Sequence, residues 1–265
     1  MKLTLIKVGG AIVENADSLG LLLDKFARIE GHKVLVHGGG RSATRIAEQL
    51  GLPQQMIAGR RVTDAETLRV VTMVYAGLVN KEIVAGLQAR GINALGLTGA
   101  DMNVIRSHRR APKNVRMADG SMQLVDYGFV GDIDKVDASL LSGLIRQGVV
   151  HVICPIGHDT KGSLLNTNAD TIAAEVAKAL ADVFDVTLVF CFEKRGVLRD
   201  ADDDNSVIST ITQAEFPALV EQGIVSGGML PKLENAFDAI RAGVHEVIIT
   251  RADAIDDAGA GTRLC

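Results

Sequence analysis

Two apolar segments near the start of the chain each end in a glycine-rich turn that opens a helical pattern. The first leads into Gly9-Gly10, and the second leads into Gly38-Gly39-Gly40. Strand, glycine turn and helix in this order indicate right-handed βαβ units built on a parallel sheet. Backbone N–H groups that no side chain covers, placed at a helix N-terminus, bind anions. The two turns therefore predict both a fold class and a phosphate-binding edge of the sheet.

The same alternation of apolar and amphipathic segments continues along all 265 residues, with few aromatic side chains (3%). Aliphatic residues must then build the core, as in buried parallel strands covered by helices. We expect an α/β fold, a three-layer αβα sandwich with a central, mostly parallel sheet and two lobes. The predicted strands are 2–7, 33–37, 94–97, 150–153, 186–191 and 246–250. The predicted helices are 19–30, 42–50, 64–89, 140–146, 170–181, 213–222 and 230–242.

Composition excludes several classes of protein. A formal net charge of −4 gives no overall field that would attract nucleic acid or an anionic membrane. We find no leader sequence and no apolar run long enough to span a bilayer. The three cysteines follow no metal-ligand or disulfide pattern. These features predict a cytoplasmic protein that binds neither nucleic acid nor membranes.

Four further positions carry candidate chemistry. Lys7 precedes the first glycine turn, at the strand end where open α/β sheets bind ligands. The stretch 166–170 (Asn-Thr-Asn-Ala-Asp) follows another predicted strand and a predicted glycine turn at 155–157. It has more polar groups than one helix cap requires, and Asn168 is the predicted N-cap. Lys232 follows a glycine pair and a proline at a predicted helix start, where a bound anion would offset its charge. Arg60-Arg61 is either a surface pair or a fork for a carboxylate.

Two longer segments allow more than one interpretation. The helix 64–89 is apolar on several faces, which favours a helix shared with a partner subunit over one buried in its own lobe. Residues 103–135 read as a hairpin around Asp119-Gly120, preceded by six basic residues between Arg106 and Arg116. Such a run is usually a solvated face, although one or two of its charges could meet an acidic substrate. The chain has neither a P-loop nor a Rossmann glycine motif.

Taken in order, the motifs resemble the amino-acid kinase family and, within it, the branch that phosphorylates acylated glutamate. The resemblance covers nearly the whole chain, and the ordered set is specific although each motif alone is weak. The matching segments are 7–10, 37–40, 59–63, 80–81, 96–101, 127–131, 166–170 and 227–232.

The resemblance implies a role for each matching position. Residues that stabilise the transferred phosphoryl group would be Lys7, Lys232, Asp170 and Gly10. Residues that bind the acylglutamate would be Gly39, Gly40, Arg61, Asn166 and Asn168. Residues that bind the nucleotide would be Gly9, Glu193, Lys194, Gly196, Leu198, Ile224 and Ser226. No protein metal ligand is implied, because Mg²⁺ would bridge oxygens of ATP.

The implied reaction is ATP-dependent phosphorylation of the γ-carboxylate of an N-acyl-L-glutamate, acetyl by default, in arginine biosynthesis. The implied fold is that of the amino-acid kinases, with residues 1–180 binding the acylglutamate and forming the dimer and residues 181–265 binding ATP. A homodimer would form through the helix 64–89. Relatives that arginine inhibits have an extra N-terminal helix, so the resemblance implies an arginine-insensitive dimer.

Three alternatives stay open, and a departure from the family pattern motivates the first of them. Phe192-Glu193 stands where the family has Thr-Asp or Ser-Asp, which affects the predicted nucleotide contacts. A non-catalytic ligand-binding relative is one alternative, and another is a kinase for aspartate, free glutamate, carbamate or UMP. A third is N-succinyl-L-glutamate as the acceptor, with the additional cation supplied by the basic segment 106–116.

Overall fold

Aliphatic strands and amphipathic helices alternate along the computed structural model, which describes residues 1–117, 119–257 and 259–265. The strands are β1 (Lys2–Val8), β2 (His32–His37), β3 (Met56–Ile57), β4 (Arg60–Arg61), β5 (Ala94–Leu97), β6 (Ile105–Arg109), β7 (Lys113–Arg116), β8 (Met122–Val125), β9 (Gly131–Val136), β10 (Val150–Ile153), β11 (Ile156–His158), β12 (Leu164–Asn166), β13 (Asp185–Phe192), β14 (Thr210–Ile211), β15 (Glu246–Arg251) and β16 (Thr262–Leu264). The helices are α1 (Gly10–Val13), α2 (Ala16–Arg28), α3 (Gly40–Gln49), α4 (Ala65–Thr72), α5 (Asn80–Gln88), α6 (Ala138–Arg146), α7 (Ala169–Ala181), α8 (Phe216–Glu221) and α9 (Leu230–Arg241).

One large sheet crosses the molecule in the strand order β14-β16-β15-β13-β1-β2-β10-β5. The pairs in this sheet are parallel except for β15 with β16. Strand β1 lies between β2 and β13, so the first and last thirds of the chain share one sheet. The proposed boundary after residue 180 falls in the last turn of α7 (Ala169–Ala181), and the division into two lobes stays a prediction.

Alternation along the strands divides the core into two layers. On β1, Leu3 and Leu5 pack with α6, α7 and α9, whereas Ile6 and Val8 pack with α2, α3, α4 and α5. Successive side chains of a strand point to opposite faces, so helices cover the sheet on both sides. The prediction of a three-layer α/β fold with a mostly parallel sheet is confirmed.

A smaller sheet, in the order β12-β11-β6-β9, lies beside the carboxyl edge of the large one. Strand β12 ends at Asn166, and isolated bridges join Val130 to Asn166 and Thr63 to Gly128. The sequence suggested a glycine turn at residues 155–157, which is wrong because Gly157 lies within β11. The hairpin expected around Asp119-Gly120 is confirmed, since β7 pairs antiparallel with β8.

The predicted helix 64–89 is confirmed, with a π-helical segment (Met73–Val79) between α4 and α5. Asp64 caps it by accepting a hydrogen bond from the Thr67 N–H at 2.7 Å. The expectation that no apolar run could span a bilayer is wrong by length and composition, because the helix Ala65–Gln88 has 24 residues and contains an 18-residue window with a mean hydropathy of 1.4. One side of this helix nevertheless packs into the core through Val71, Ile83 and other buried residues. Core helices of soluble proteins commonly have this character.

Candidate active site

Parallel pairing places the two glycine turns side by side. Strands β1 and β2 pair with Val8 opposite His37. Gly10 begins α1 and Gly40 begins α3, so their N–H groups have no acceptor within their own helices. A Cβ atom built on Gly10 would lie 3.8 Å from the backbone nitrogens of both Gly39 and Gly40. Three backbone nitrogens therefore border one small space, together with the Glu14 carboxylate, whose Oε1 also lies 3.8 Å from that Cβ position. Backbone nitrogens arrayed in this way bind anions.

The second turn also depends on the absence of a side chain at Gly39. A Cβ atom there would lie 2.9 Å from Cδ1 of Tyr75, closer than a Cβ approaches another heavy atom in real structures. Tyr75 is buried in the π-helical segment. The ring therefore packs directly against the turn, a contact that sequence reasoning missed because no local pattern joins residues 39 and 75.

His37, the residue before this turn, is oriented by two hydrogen bonds. Its Nδ1 lies 2.7 Å from the Gly38 carbonyl oxygen, and its Nε2 lies 3.1 Å from Nδ2 of the buried Asn80. The Asn80 amide nitrogen also donates to the Val152 carbonyl at 2.9 Å. We assign the proton to Nδ1, because Nε2 must then accept from Asn80. Gly96 leaves room for this amide, since a Cβ there would lie 1.9 Å from Asn80 Oδ1.

Buried histidines predict that the protein loses stability in mild acid. Burial lowers the pKa of both His37 and His151 to about 4, whereas a histidine of the unfolded chain titrates near 6.5. Between these values the unfolded state binds protons that the folded state does not. The free energy of unfolding therefore has its full value above pH 6.5. It decreases as the pH falls toward 4, by about 1.4 kcal/mol per pH unit for each histidine.

The substitution His151→Leu tests this prediction. Both ring nitrogens of His151 are buried and have no hydrogen-bond partner among the residues that the structure describes. We expect the variant to raise the free energy of unfolding at pH 7 by about 1–3 kcal/mol and to remove one histidine's share of the acid dependence. Urea denaturation at a series of pH values from 4 to 8 measures both. A variant with the same pH slope as the wild type would contradict the prediction.

Two lysines and one aspartate meet next to the glycine turns. Lys7 is buried at the end of β1, and its Nζ lies 2.7 Å from Oδ1 of Asp170. Asp170 stands in the first turn of α7, where Asn168 Oδ1 accepts from its N–H at 2.7 Å, so the predicted cap is confirmed. Lys232, in the first turn of α9, lies with its Nζ 3.9 Å from the centre of the Phe192 ring, and Lys7 Nζ lies 5.6 Å from the same centre. The expected convergence of the two lysines is therefore observed.

The electrostatics of this cluster involve all three charged side chains. Burial lowers the pKa of Lys232, the Asp170 carboxylate opposes that shift, and the Lys7 ammonium adds to it. The Phe192 ring supplies a negative π face to both ammonium groups. Sequence reasoning treated Phe192 only as a lost hydroxyl. Strand pairing would have found its role, because Phe190 pairs with Lys7 and Phe192 follows on the same face of β13.

A cavity of about 230 Å³ opens at the carboxyl edge of the sheet beside this cluster. Residues predicted to bind substrate or the phosphoryl group form much of its wall, namely Gly10, Gly39, Gly40, Arg61, Asn166 and Asn168. Four further lining residues were not predicted from the sequence to lie together, namely Met56, Arg60, Tyr75 and Val130. The structure thus brings these predicted residues together in one place.

Two of the predicted substrate residues are fixed by neighbours. The buried Arg61 guanidinium donates to the Gly40 carbonyl at 2.9 Å and to Thr44 Oγ1 at 2.8 Å, and it also donates to Gln54. Asn166 donates through Nδ2 to Thr63 Oγ1 at 3.0 Å. A guanidinium has five N–H donors, so Arg61 is positioned without using its whole donor set. Its carboxylate-binding role stays a prediction.

The predicted nucleotide residues are spread over several surfaces. Gly9 precedes α1, and Glu193 lies 3.7 Å from Arg41 on a second cavity of about 450 Å³. Lys194 contacts Asp204 at 3.4 Å. Of the predicted nucleotide residues, all of which the structure describes, only Glu193 lines either cavity. Gly196 packs against Thr262, Leu198 is bridged to Val207, and Ile224 and Ser226 precede a 3-10 turn. Nucleotide binding by this set stays a prediction.

Metal and thiol chemistry have little support among the residues that the structure describes. No group of three histidine, cysteine, aspartate or glutamate side chains there could hold a metal ion. Burial raises the pKa of Cys154 and Cys191 to about 12, so both are core residues. Asp170, the carboxylate nearest the lysines, is already paired with Lys7.

Comparisons with known proteins show the family of this chain. Residues 2–251 match the amino acid kinase family. An acetylglutamate kinase from Bacteroides thetaiotaomicron is 66% identical over 99% of this chain and 98% of its own length. An acetylglutamate kinase from Bacteroides fragilis is 65% identical over 99% of this chain and 97% of its own length. The crystal structure of smu.665 from Streptococcus mutans superposes with a TM-score of 0.75 at 26% identity, covering 99% of this chain and 98% of that one.

Proposed function

This chain belongs to the amino acid kinase family, and we propose that it transfers the γ-phosphoryl group of ATP to the side-chain carboxylate of N-acetyl-L-glutamate, a step of arginine biosynthesis. The name shared by its Bacteroides relatives supports this substrate. The observation that carries the proposal is one cavity in which glycine turns for a phosphoryl group meet an arginine and asparagines for an acylated amino acid.

The acceptor needs no general base. A glutamate side-chain carboxyl has a pKa near 4.3 and is ionised at pH 7, so its oxygen attacks the γ-phosphorus directly. A new O–P bond forms, the bond from phosphorus to the bridging oxygen of ADP breaks, and the product is an acyl phosphate. The protein therefore supplies hydrogen-bond donors and lysines that stabilise charge, and the reaction requires neither a protein nucleophile nor a general base.

Charge stabilisation is then the main task of the protein. Backbone nitrogens at Gly10, Gly39 and Gly40 would hold oxygens of the phosphoryl group in flight, and the two lysines would neutralise its charge. Asp170 would keep those lysines apart from each other, since it pairs with Lys7 and acts on Lys232. Arg61 would bind the α-carboxylate and Asn166 the amide region of the substrate.

We propose that Mg²⁺ enters with ATP. The paired state of Asp170 fits a metal whose ligands come from the nucleotide, and bound Mg²⁺ would neutralise charge on the phosphate oxygens. Glu193, Lys194, Gly196, Leu198, Ile224 and Ser226 would form the nucleotide site, with Gly9 at the phosphates.

Hydroxylamine trapping tests the proposed function. Acyl phosphates react with hydroxylamine to give a coloured hydroxamate, so purified protein with Mg-ATP and N-acetyl-L-glutamate is expected to produce hydroxamate and ADP in equal amounts. Aspartate, free glutamate, carbamate and UMP serve as the competing acceptors. ADP formed only with one of these would assign a different kinase, and ATP binding without ADP formation would favour the non-catalytic alternative.

We also propose a cytoplasmic homodimer that forms through the helix 64–89. Met73 and Leu78 on this helix are 57% and 45% exposed, although the opposite side packs into the core. An apolar outer face on a helix of this length is suited to a second subunit.

A further inference from the structure

The cavity wall contains two arginines, whereas the α-carboxylate of N-acetyl-L-glutamate would pair with only one of them. Arg60 and Arg61 both line it, although neighbouring residues of a strand point to opposite sides. The Arg61 guanidinium lies against α3, where it donates hydrogen bonds to the Gly40 carbonyl and to Thr44 Oγ1. The Arg60 guanidinium instead lies near Arg110, Tyr127 and Asp132. The two arginines therefore stand on different walls of the same cavity.

The Arg60 guanidinium is available for a ligand. Among the residues that the structure describes, it makes neither a hydrogen bond nor an ion pair, because the nearby Asp132 carboxylate is held by two nitrogens of Arg110. Burial lowers the pKa of Arg60 and the Arg110 charge adds to that shift, whereas Tyr127 and the Asp132 carboxylate oppose it more weakly. A half-buried cation is unfavourable when the nearby carboxylate is already bonded to another arginine, and an anionic ligand group would relieve that cost.

The basic segment 106–116, which the sequence offered as the source of an additional cation, is the wrong source. Arg109 pairs with Asp126 at 3.1 Å and Arg106 lies 3.9 Å from Asp137. None of the basic residues of this segment lines the cavity. Arg60, which the sequence analysis considered only as half of an arginine pair, takes that place.

The substrate itself indicates which of its parts meets Arg60. In an N-acylglutamate the γ-carboxylate belongs at the glycine turns and the α-carboxylate at Arg61. The acyl group is attached through the amide to the same carbon as the α-carboxylate, so it extends along the wall next to Arg61. An acetyl methyl there would leave the Arg60 charge without a partner.

We propose, building on the function proposed above, that Arg60 binds a carboxylate at the far end of the acyl group. The substrates of this chain then include N-acylglutamates with a dicarboxylic acyl group, of which N-succinyl-L-glutamate is the simplest. A guanidinium and a carboxylate match in shape and form paired, charge-assisted hydrogen bonds. Phosphoryl transfer at the γ-carboxylate is the same with either acyl group.

Kinetic comparison of two isosteric substrates tests this inference. N-succinyl-L-glutamate ends in a carboxylate, and N-succinamoyl-L-glutamate has a neutral amide in its place. We expect the wild-type kcat/KM to favour succinyl by about 10- to 100-fold, the range for a hydrogen bond between charged groups. Arg60→Met should reduce this preference to within about threefold, and Arg60→Lys should retain part of it because the charge remains.

Arg116→Met is the matched control, because Arg116 is an exposed arginine of the basic segment outside the cavity, and it should keep the wild-type preference. Equal wild-type use of the two isosteres would overturn the inference, as would a preference that changes in Arg116→Met but not in Arg60→Met. Hydroxamate from N-acetyl-L-glutamate alone would refute the inference and leave the proposed function standing. Folded protein that gives no hydroxamate with any acylglutamate would refute the proposed function itself.

Discussion

Replacing Lys232 with methionine is expected to lower kcat about 100- to 1,000-fold without lowering the melting temperature. The ammonium lies 3.9 Å from the centre of the Phe192 ring beside the Lys7–Asp170 pair, where the proposed reaction would develop charge on the phosphoryl group. Burial lowers the pKa of Lys232, which means that the folded state bears a cost for this charge at pH 7. Methionine has a similar length and no charge, so the variant avoids that cost.

Steady-state kinetics by hydroxamate release, together with calorimetric melting, provide the two measurements. Lys178→Met is the control, because Lys178 pairs with Glu175 on α7 at 2.8 Å and has no part in the proposed chemistry. A kcat within threefold of the wild type in Lys232→Met would contradict the role of the lysine. A melting temperature that falls together with kcat would point to a structural role instead.

Gly10→Ala is expected to leave a folded protein that has lost at least about 100-fold in kcat/KM. The added methyl group meets no protein atom closer than 3.8 Å, so the chain can accommodate it. It would occupy the space between the backbone nitrogens of Gly39 and Gly40, which the phosphoryl group needs. Because Gly10 is helical, alanine should leave the free energy of unfolding unchanged or raise it by up to about 1 kcal/mol.

Gly143→Ala is the matched control, since Gly143 is also helical and a Cβ there would meet nothing within 4 Å. Urea denaturation and hydroxamate kinetics on both variants separate stability from activity. Wild-type kcat/KM in Gly10→Ala would show that the phosphoryl group lies elsewhere. Loss of activity in Gly143→Ala would mean that glycine-to-alanine changes in general disturb this fold.

Local pattern was enough to predict most of the main sheet and its helices. The predicted strand 2–7 is observed as Lys2–Val8, and the predicted helix 170–181 is observed as Ala169–Ala181. In both segments the apolar residues recur with a clear period, and a glycine turn or a capping asparagine marks one end. Gly157 was misread as a turn because glycine also serves where strands approach closely. A Cβ there would lie 2.7 Å from Ser107 Oγ, and that proximity depends on residues far apart in the chain.

The residues of the site also divide into those that local sequence predicts and those whose roles depend on distant parts of the chain. Lys7, Asp170 and Lys232 could be predicted because each occupies a strand end or a helix start with its own sequence signature. Phe192 and Arg60 could not, because their roles depend on which strands pair and which loops face each other. The smaller sheet depends on the same long-range pairing, since β6 pairs with both β9 and β11.

The π-helical segment constrains how this protein can change through evolution. An α-helix advances by 100° per residue, and the wider π turn absorbs an additional residue. Tyr75 and Val79 face Gly39 from this segment, and Asn80 reaches His37 just after it. Deleting one residue here would rotate everything downstream away from the glycine turn. We therefore expect this protein to tolerate substitutions on the outer surface of the helix away from Met73 and Leu78, which the proposed dimer would cover, and to tolerate a change in the length of the helix poorly.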